Sequence, residues 1–164
     1  MRASRFLIWL MAAAVCGIGV FALLVWQAVE VLDAGPADAA RAFEEARAPF
    51  GDQPALLSRQ PDGTLVRRDR QPPDAPAVVA HIRVLSYQSA SRRLTRADVP
   101  FWFFKLKSPA AQFFVRDTGL DLSTLGLTAA DLEREGPTLI LDETGHAGYQ
   151  WLVWSDERRR ATGR

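Results

Sequence analysis

His81 and His146 are the only imidazoles in the chain, and so the only side chains whose ordinary pKa lies close to neutral pH. With Cys16 the single cysteine, a metal centre would need these imidazoles together with several carboxylates, yet no H-x-x-x-H or comparable ligand spacing occurs. His81 alternates with Ala80 and Ile82, which predicts the polar face of a strand; His146 stands between Gly145 and Gly148, which predicts a solvated turn. Ser86, Ser89, Ser91, Ser108, Ser123 and Ser155 carry hydroxyls, but none sits in a G-x-S-x-G elbow or an S-x-x-K motif. No P-loop and no G-x-G-x-x-G after a strand offers a phosphate cradle. No catalytic residue, metal or cofactor is therefore assigned.

Asp117-Thr118-Gly119 is the remaining motif with a chemical association. Aspartic proteases hold a catalytic aspartate in such a triplet after a hydrophobic strand, and their chemistry requires a second carboxylate sharing its proton. Here Arg116 occupies the preceding position, apolar in those enzymes, and only 45 residues follow Gly119 to complete a half-barrel. The triplet reads as a strand-ending turn, with Asp117 retained as a polar group at the mouth of a possible binding surface.

That surface is suggested by the most aromatic run in the chain. As an extended strand, residues 101–107 would put Phe101, Phe103, Lys105 and Lys107 on one face and Trp102, Phe104 and Leu106 on the other. Most of the aromatics are expected to be core, with the lysines reaching water at the strand end. Aromatic anchors beside cations also suit a partner or ligand surface. The candidate binding residues are accordingly Phe101, Trp102, Phe103, Lys105, Lys107, His81 and Asp117.

Bulk composition excludes several classes. Twenty basic and 19 acidic side chains leave a net charge of +1, so there is no overall field to gather nucleic acid. Hydrophobic residues at 48% and charged residues at 24% suit an ordinary folded domain, and the chain beyond the N-terminal segment is long enough for one core. The only cysteine lies in that segment, so the globular part holds no disulfide.

The elements that position these residues begin with 21 consecutive uncharged residues, Phe6 to Trp26, long enough as a helix to cross a ~30 Å hydrocarbon layer. Arg2 and Arg5 precede the segment, while Glu30 and Asp33 are the first charges after it. This bias predicts a cytoplasmic N-terminus and an exported remainder, in the inner membrane of a bacterium. A cleaved signal peptide fits less well, because the apolar stretch is longer than such segments and the nearest small-x-small site, Ala37-Asp38-Ala39, lies well beyond it. Nor does a lipoprotein, since Val15 precedes a mid-segment Cys16. Ala13 and Gly17 form one small-xxx-small pair, a spacing that permits weak self-association.

Beyond the segment, residues 27–48 predict a helical stalk interrupted at Gly35-Pro36. Residues 49–76 read as a proline-rich connector with a possible hairpin around Pro61-Asp62-Gly63, and residues 77–156 as the core. Within that core the sequence predicts a strand over 77–87, a capped helix over 129–135 after Thr128, and a second hairpin from 138–141 to 149–154. Residues 110–116 fit helix or strand, and the arginine-bearing tail from 157 to 164 is expected to be solvated. The expected fold class is α+β: an N-terminal transmembrane helix, then a small domain with a mainly antiparallel sheet and one or two short helices. The expected function is that of an anchored envelope protein that engages the lipid bilayer through residues 6–26 and a protein partner through its exported domain. The alternative is a small-ligand or enzymatic domain with a pocket beside residues 101–107.

Overall fold

A computed structural model describes residues 9, 11, 16, 17, 19, 27–60, 62–68, 78–105, 112, 115–146 and 148–157. They form an α+β fold around one seven-stranded mixed sheet. Its strands are β1 (Val29–Asp33), β2 (Leu57–Arg59), β3 (Leu65–Arg67), β4 (Val79–Gln88), β5 (Arg93–Pro100), β6 (Leu139–His146) and β7 (Tyr149–Glu157). Their spatial order is β1-β5-β4-β7-β6-β2-β3. All neighbours are antiparallel except β2 and β6, which run parallel through Leu57 and Leu141. Among the described residues, three α-helices with defined bounds accompany the sheet: α1 (Pro36–Arg47), α2 (Phe101–Lys105) and α3 (Ala129–Glu135).

The expected fold class is corrected on two points. The sheet is mixed, because the β2–β3 hairpin docks alongside β6 with Leu56 N–H donating to Leu139 O at 2.9 Å. Among the described residues, moreover, no helix is long and apolar enough to cross a membrane. Most of residues 6–26, including Ala13 of the Ala13–Gly17 pair, lie outside the described residues, as do 69–77, Lys107 and 158–164.

The stalk expectation is corrected as well. Val29–Asp33 is an edge strand, in register with β5 from Val29↔Ala97 to Asp33↔Arg93. Alternating Val29 and Val31 had the period of a strand, and β-branched residues favour it. Helix α1 does start at Pro36, where a missing N–H costs nothing. It is not a solvated spacer, however: Ala39, Ala42 and Phe43 are buried, and they pack with Leu85, Tyr87, Leu94, Leu139 and Leu152 on one face of the sheet. Small alanines let the helix axis approach closely, so the single large side chain Phe43 reaches the sheet and is only 1% exposed. Arg47 then fixes the helix C-terminus to β6 by a bidentate pair with Asp142, both contacts at 2.7 Å. That hydrogen bonding raises the guanidinium pKa further above its ordinary value.

The opposite face is covered along its length. Ile82, Val84, Ala97, Val99, Trp151 and Val153 meet Phe101 and Phe103 of α2, Leu132 of α3, and Val115, Leu120, Leu122 and Leu125 from the chain between these helices. Helix α3 carries the expected capping box, in which Thr128 Oγ1 accepts from Asp131 N–H while the Asp131 carboxylate accepts from Thr128 N–H. Hydrogen bonding from Thr128, reinforced by Arg67 at 2.8 Å, holds the Asp131 carboxyl far below its usual range.

Residues 101–107 are not a strand. Phe101–Lys105 turns into α2 directly after Pro100, the last residue of β5. The strand reading fails because Pro100 ends the ladder and the chain turns into a helix there, although Phe101 and Phe103 are buried and Trp102 exposed as alternation had it. Strand β5 itself goes unrecognised in the sequence: its alternation is weakened by buried Leu94 and Thr95 standing side by side on opposite faces.

Candidate functional site

Alternation along β4 sends Ile82 and Val84 into the covered face, and His81, Arg83, Leu85 and Tyr87 onto the face that carries α1. Helix α1 covers only the Leu85–Tyr87 half of that face. The other half, toward the start of β4, keeps a cluster of charge drawn from three strands. His81 and Arg83 come from β4; the register puts Asp98 of β5 opposite Arg83, and Asp156 of β7 opposite His81. Arg83 is also paired with Trp154 of β7.

His81 Nδ1 lies 2.5 Å from Asp98 Oδ1. Facing a carboxylate, a neutral ring carries its hydrogen on Nδ1, which leaves Nε2 as the acceptor. Arg83 reaches Asp156 at 3.2 Å and Asp98 at 3.6 Å. Its Nε is buried without a hydrogen-bond partner among the described residues, so the guanidinium is held by charge more than by good hydrogen bonds. The four side chains are each about two-fifths exposed, at 40–43%, so solvent screens these pairs and they add little to stability.

Two open cavities run along α1 beside this cluster, of about 450 and 550 Å³, and both are lined by Glu45, Ala46, Arg83 and Trp154. They form one groove with half-buried Trp154 in its wall. Across the two linings stand five carboxylates, from Glu30, Glu45, Asp98, Asp156 and Glu157, against the guanidiniums of Arg83 and Arg96. The groove is thus acidic, with one indole available for stacking. Catalysis finds less support here, since Ser86 and Ser155 are buried and alternate onto the opposite face. Among the described residues no group of three or more His, Cys, Asp or Glu is arranged to hold a metal.

The residues singled out in the sequence are not brought together. Phe101 and Phe103 belong to the core, and Trp102 is 55% exposed with its ring against Phe103. Lys105 pairs with Glu133 of α3 and lies 5.4 Å from the Phe101 ring centre. Lys107 is outside the described residues, so the expected aromatic–cation surface is reduced to Trp102 and Lys105.

Asp117 is exposed on the side of the sheet opposite His81. Its triplet forms a structural turn. Trp151 Nε1 donates to Thr118 O at 2.8 Å, Thr118 Oγ1 donates to Val115 O at 2.6 Å, and Gly119 sits at φ +71° against Tyr149.

Only His81 lies beside the groove, against its lining residue Asp98. The alternation of Trp151 and Trp154 puts one of the two tryptophans on each face of its strand, and Trp154 is the one that reaches the groove; Arg83, Asp98 and Asp156 were missed. The His81/Arg83 alternation was the available signal, whereas Asp98 and Asp156 become neighbours only through strand order. No protein-family model, no curated protein and no solved structure matches this chain.

Proposed function

We propose that the protein is a non-enzymatic envelope protein, held at the bacterial inner membrane through residues 6–26, whose exported domain docks a protein partner along the α1 groove. The observation that carries the docking reading is the groove itself: Trp154 beside five carboxylates and two guanidiniums. An indole flanked by carboxylates suits an extended segment bearing arginine or lysine, whose cation stacks on the ring and pairs at the rim. The groove is open, as an extended peptide requires, and not a closed pocket that buries most of a small ligand. Membrane attachment is supported by the uncharged 21-residue segment, and export by Arg2 and Arg5 before it.

The test is a photo-crosslinking residue placed at Ala46 in the full chain and compared with one at Ser91. The expected result is a discrete adduct from position 46 alone, joined through a lysine- or arginine-rich segment of the partner and lost in Glu45→Lys. Identical adducts from both positions, or none from position 46, overturn the docking reading. A C-terminal reporter that remains active only in the cytosol overturns export.

A second reading, a small-ligand or enzymatic domain, draws support from the oriented His81–Asp98 pair and moves from the aromatic run to this groove. It requires a small molecule that raises the Tm of the protein but not of His81→Ala.

A further inference from the structure

We infer that the free edge of β1 accepts an eighth strand, an extended segment of a partner protein that carries two cations separated by two largely apolar positions. This edge is a surface other than the α1 groove; of the β1 residues only Glu30 also lines that groove, and the inference stands without the docking proposed there. Strand β1 ends the sheet on its side, with β5 as its neighbour. Ala34 N–H donates to Arg92 O at 2.9 Å, which continues the β1–β5 register by one pair. Because hydrogen-bonded and non-hydrogen-bonded pairs alternate in an antiparallel ladder, Glu30, Leu32 and Ala34 exchange main-chain bonds with β5. Val31 and Asp33 therefore turn their N–H and C=O groups outward, away from the sheet.

Natural sheets blunt such a row of unpaired groups with lysine, proline or a bulge. Val29–Asp33 holds neither lysine nor proline, and its register runs without a shift. It offers apolar side chains instead: Val31 is 45% and Leu32 38% exposed, one on each face of the sheet. An added strand would cover both. Main-chain bonds of this kind hold an extended peptide, and its alternate side chains set which sequence is accepted.

Charge selects the occupant. Strand β1 carries Glu30 and Asp33 and no cation. Its inner neighbour shows the match: Arg93 stands opposite Asp33, Leu94 opposite Leu32, Thr95 opposite Val31, Arg96 opposite Glu30 and Ala97 opposite Val29. Arg96 reaches Glu30 at 3.7 Å. Side chains directly opposite each other share a face on either edge of β1, so an outer antiparallel strand meets the same five side chains in the same order. Read from the residue opposite Asp33, the fitting segment is a cation, an apolar residue, a β-branched residue, a second cation and a small apolar residue. A second copy of β1 fits poorly, since it would set two further carboxylates beside these two and bring no cation of its own.

The experiment uses the isotope-labelled full chain in zwitterionic micelles, with an end-capped peptide copying residues 92–98, the strand that β1 already pairs with, as the probe. Amide hydrogen exchange followed by NMR reports which main-chain groups are engaged. Without peptide, the Val31 and Asp33 amides are expected to exchange freely while those of Glu30 and Leu32 are protected. Peptide at ten times its Kd is expected to slow exchange at Val31 and Asp33 by about tenfold. Asp33→Lys is expected to weaken the peptide by about fivefold, and glutamate at the peptide's Arg93 position to restore it. Val31→Pro removes an outward N–H and leaves the bonds to β5 whole, so that chain is expected to fold and to lose the peptide. Should it fail to fold, the Asp33→Lys chain with the altered peptide still decides. No binding at millimolar peptide, or binding that leaves Val31 and Asp33 exchanging freely, overturns the edge as the site. Protection of the Val31 amide before any peptide is added means that the chain itself or a second copy covers the edge, and overturns the foreign strand.

Discussion

The two faces of the sheet are built from the same strands yet finished differently. One face is closed by α2, α3 and the chain between them, and Ser155 is satisfied within it, its Oγ donating to Gly136 O at 2.9 Å and accepting from Thr138 N–H at 2.9 Å. The other is half closed by α1 and half left to His81, Arg83, Asp98 and Asp156. Covered strand residues hold the fold, while the screened charges on the open half cost little to change, which suits the docking role proposed for that half.

The separation predicts a graded series. The largest loss is expected from Phe43→Ala, which leaves α1 without its one large buried group and should cost about 3–5 kcal/mol in urea unfolding. A cost below 1 kcal/mol would mean that α1 does not define the half-closed face. Next comes Gly119→Ala on the closed face. An added Cβ would lie 2.9 Å from Tyr149 Cε1 at φ +71°, and the combined strain and overlap should lower stability by roughly 1–3 kcal/mol. A smaller effect, roughly 0.5–1 kcal/mol of coupling in a double-mutant cycle, is expected for the part-exposed Arg47–Asp142 pair.

Acid sensitivity provides a further contrast. Asp131 has a folded-state pKa below its unfolded one, so its contribution is present above about pH 3.8, the unfolded value, and is lost as pH falls toward the folded one. Asp131→Asn should therefore unfold with a flatter pH dependence below pH 4, as followed by circular dichroism; an unchanged acid limb counts against the capping contribution. The smallest stability change, within about 0.5 kcal/mol, is expected for His81→Ala, which should nevertheless weaken crosslinking at Ala46. If His81→Ala destabilises as strongly as Phe43→Ala, the division between the two faces fails.

What could be read from the sequence followed local chemistry. The Thr128 cap, Pro36 at a helix start, and the hairpins around Asp62-Gly63 and between β6 and β7 all depend on residues a few positions apart. What could not be read depended on distant partners. Val29–Asp33 becomes a strand by pairing with β5, and Phe101–Lys105 becomes a helix because its aromatics find a common core. The groove required strand order: Asp98 and Asp156 are 58 residues apart in the chain but flank the same arginine.

The pairing of β1 also imposes an order on biosynthesis. Val29 is matched to Ala97, so the first strand to leave the ribosome cannot be placed until 68 further residues have been made. At about 5–20 residues per second, that is a wait of roughly 3–14 s. Throughout it Val29–Asp33 is a short strand without its template, its backbone donors and acceptors unsatisfied by the sheet. A holdase that shields a nascent β-segment would act in this interval, and slowing synthesis between residues 33 and 93 should lengthen the exposure without changing the finished fold.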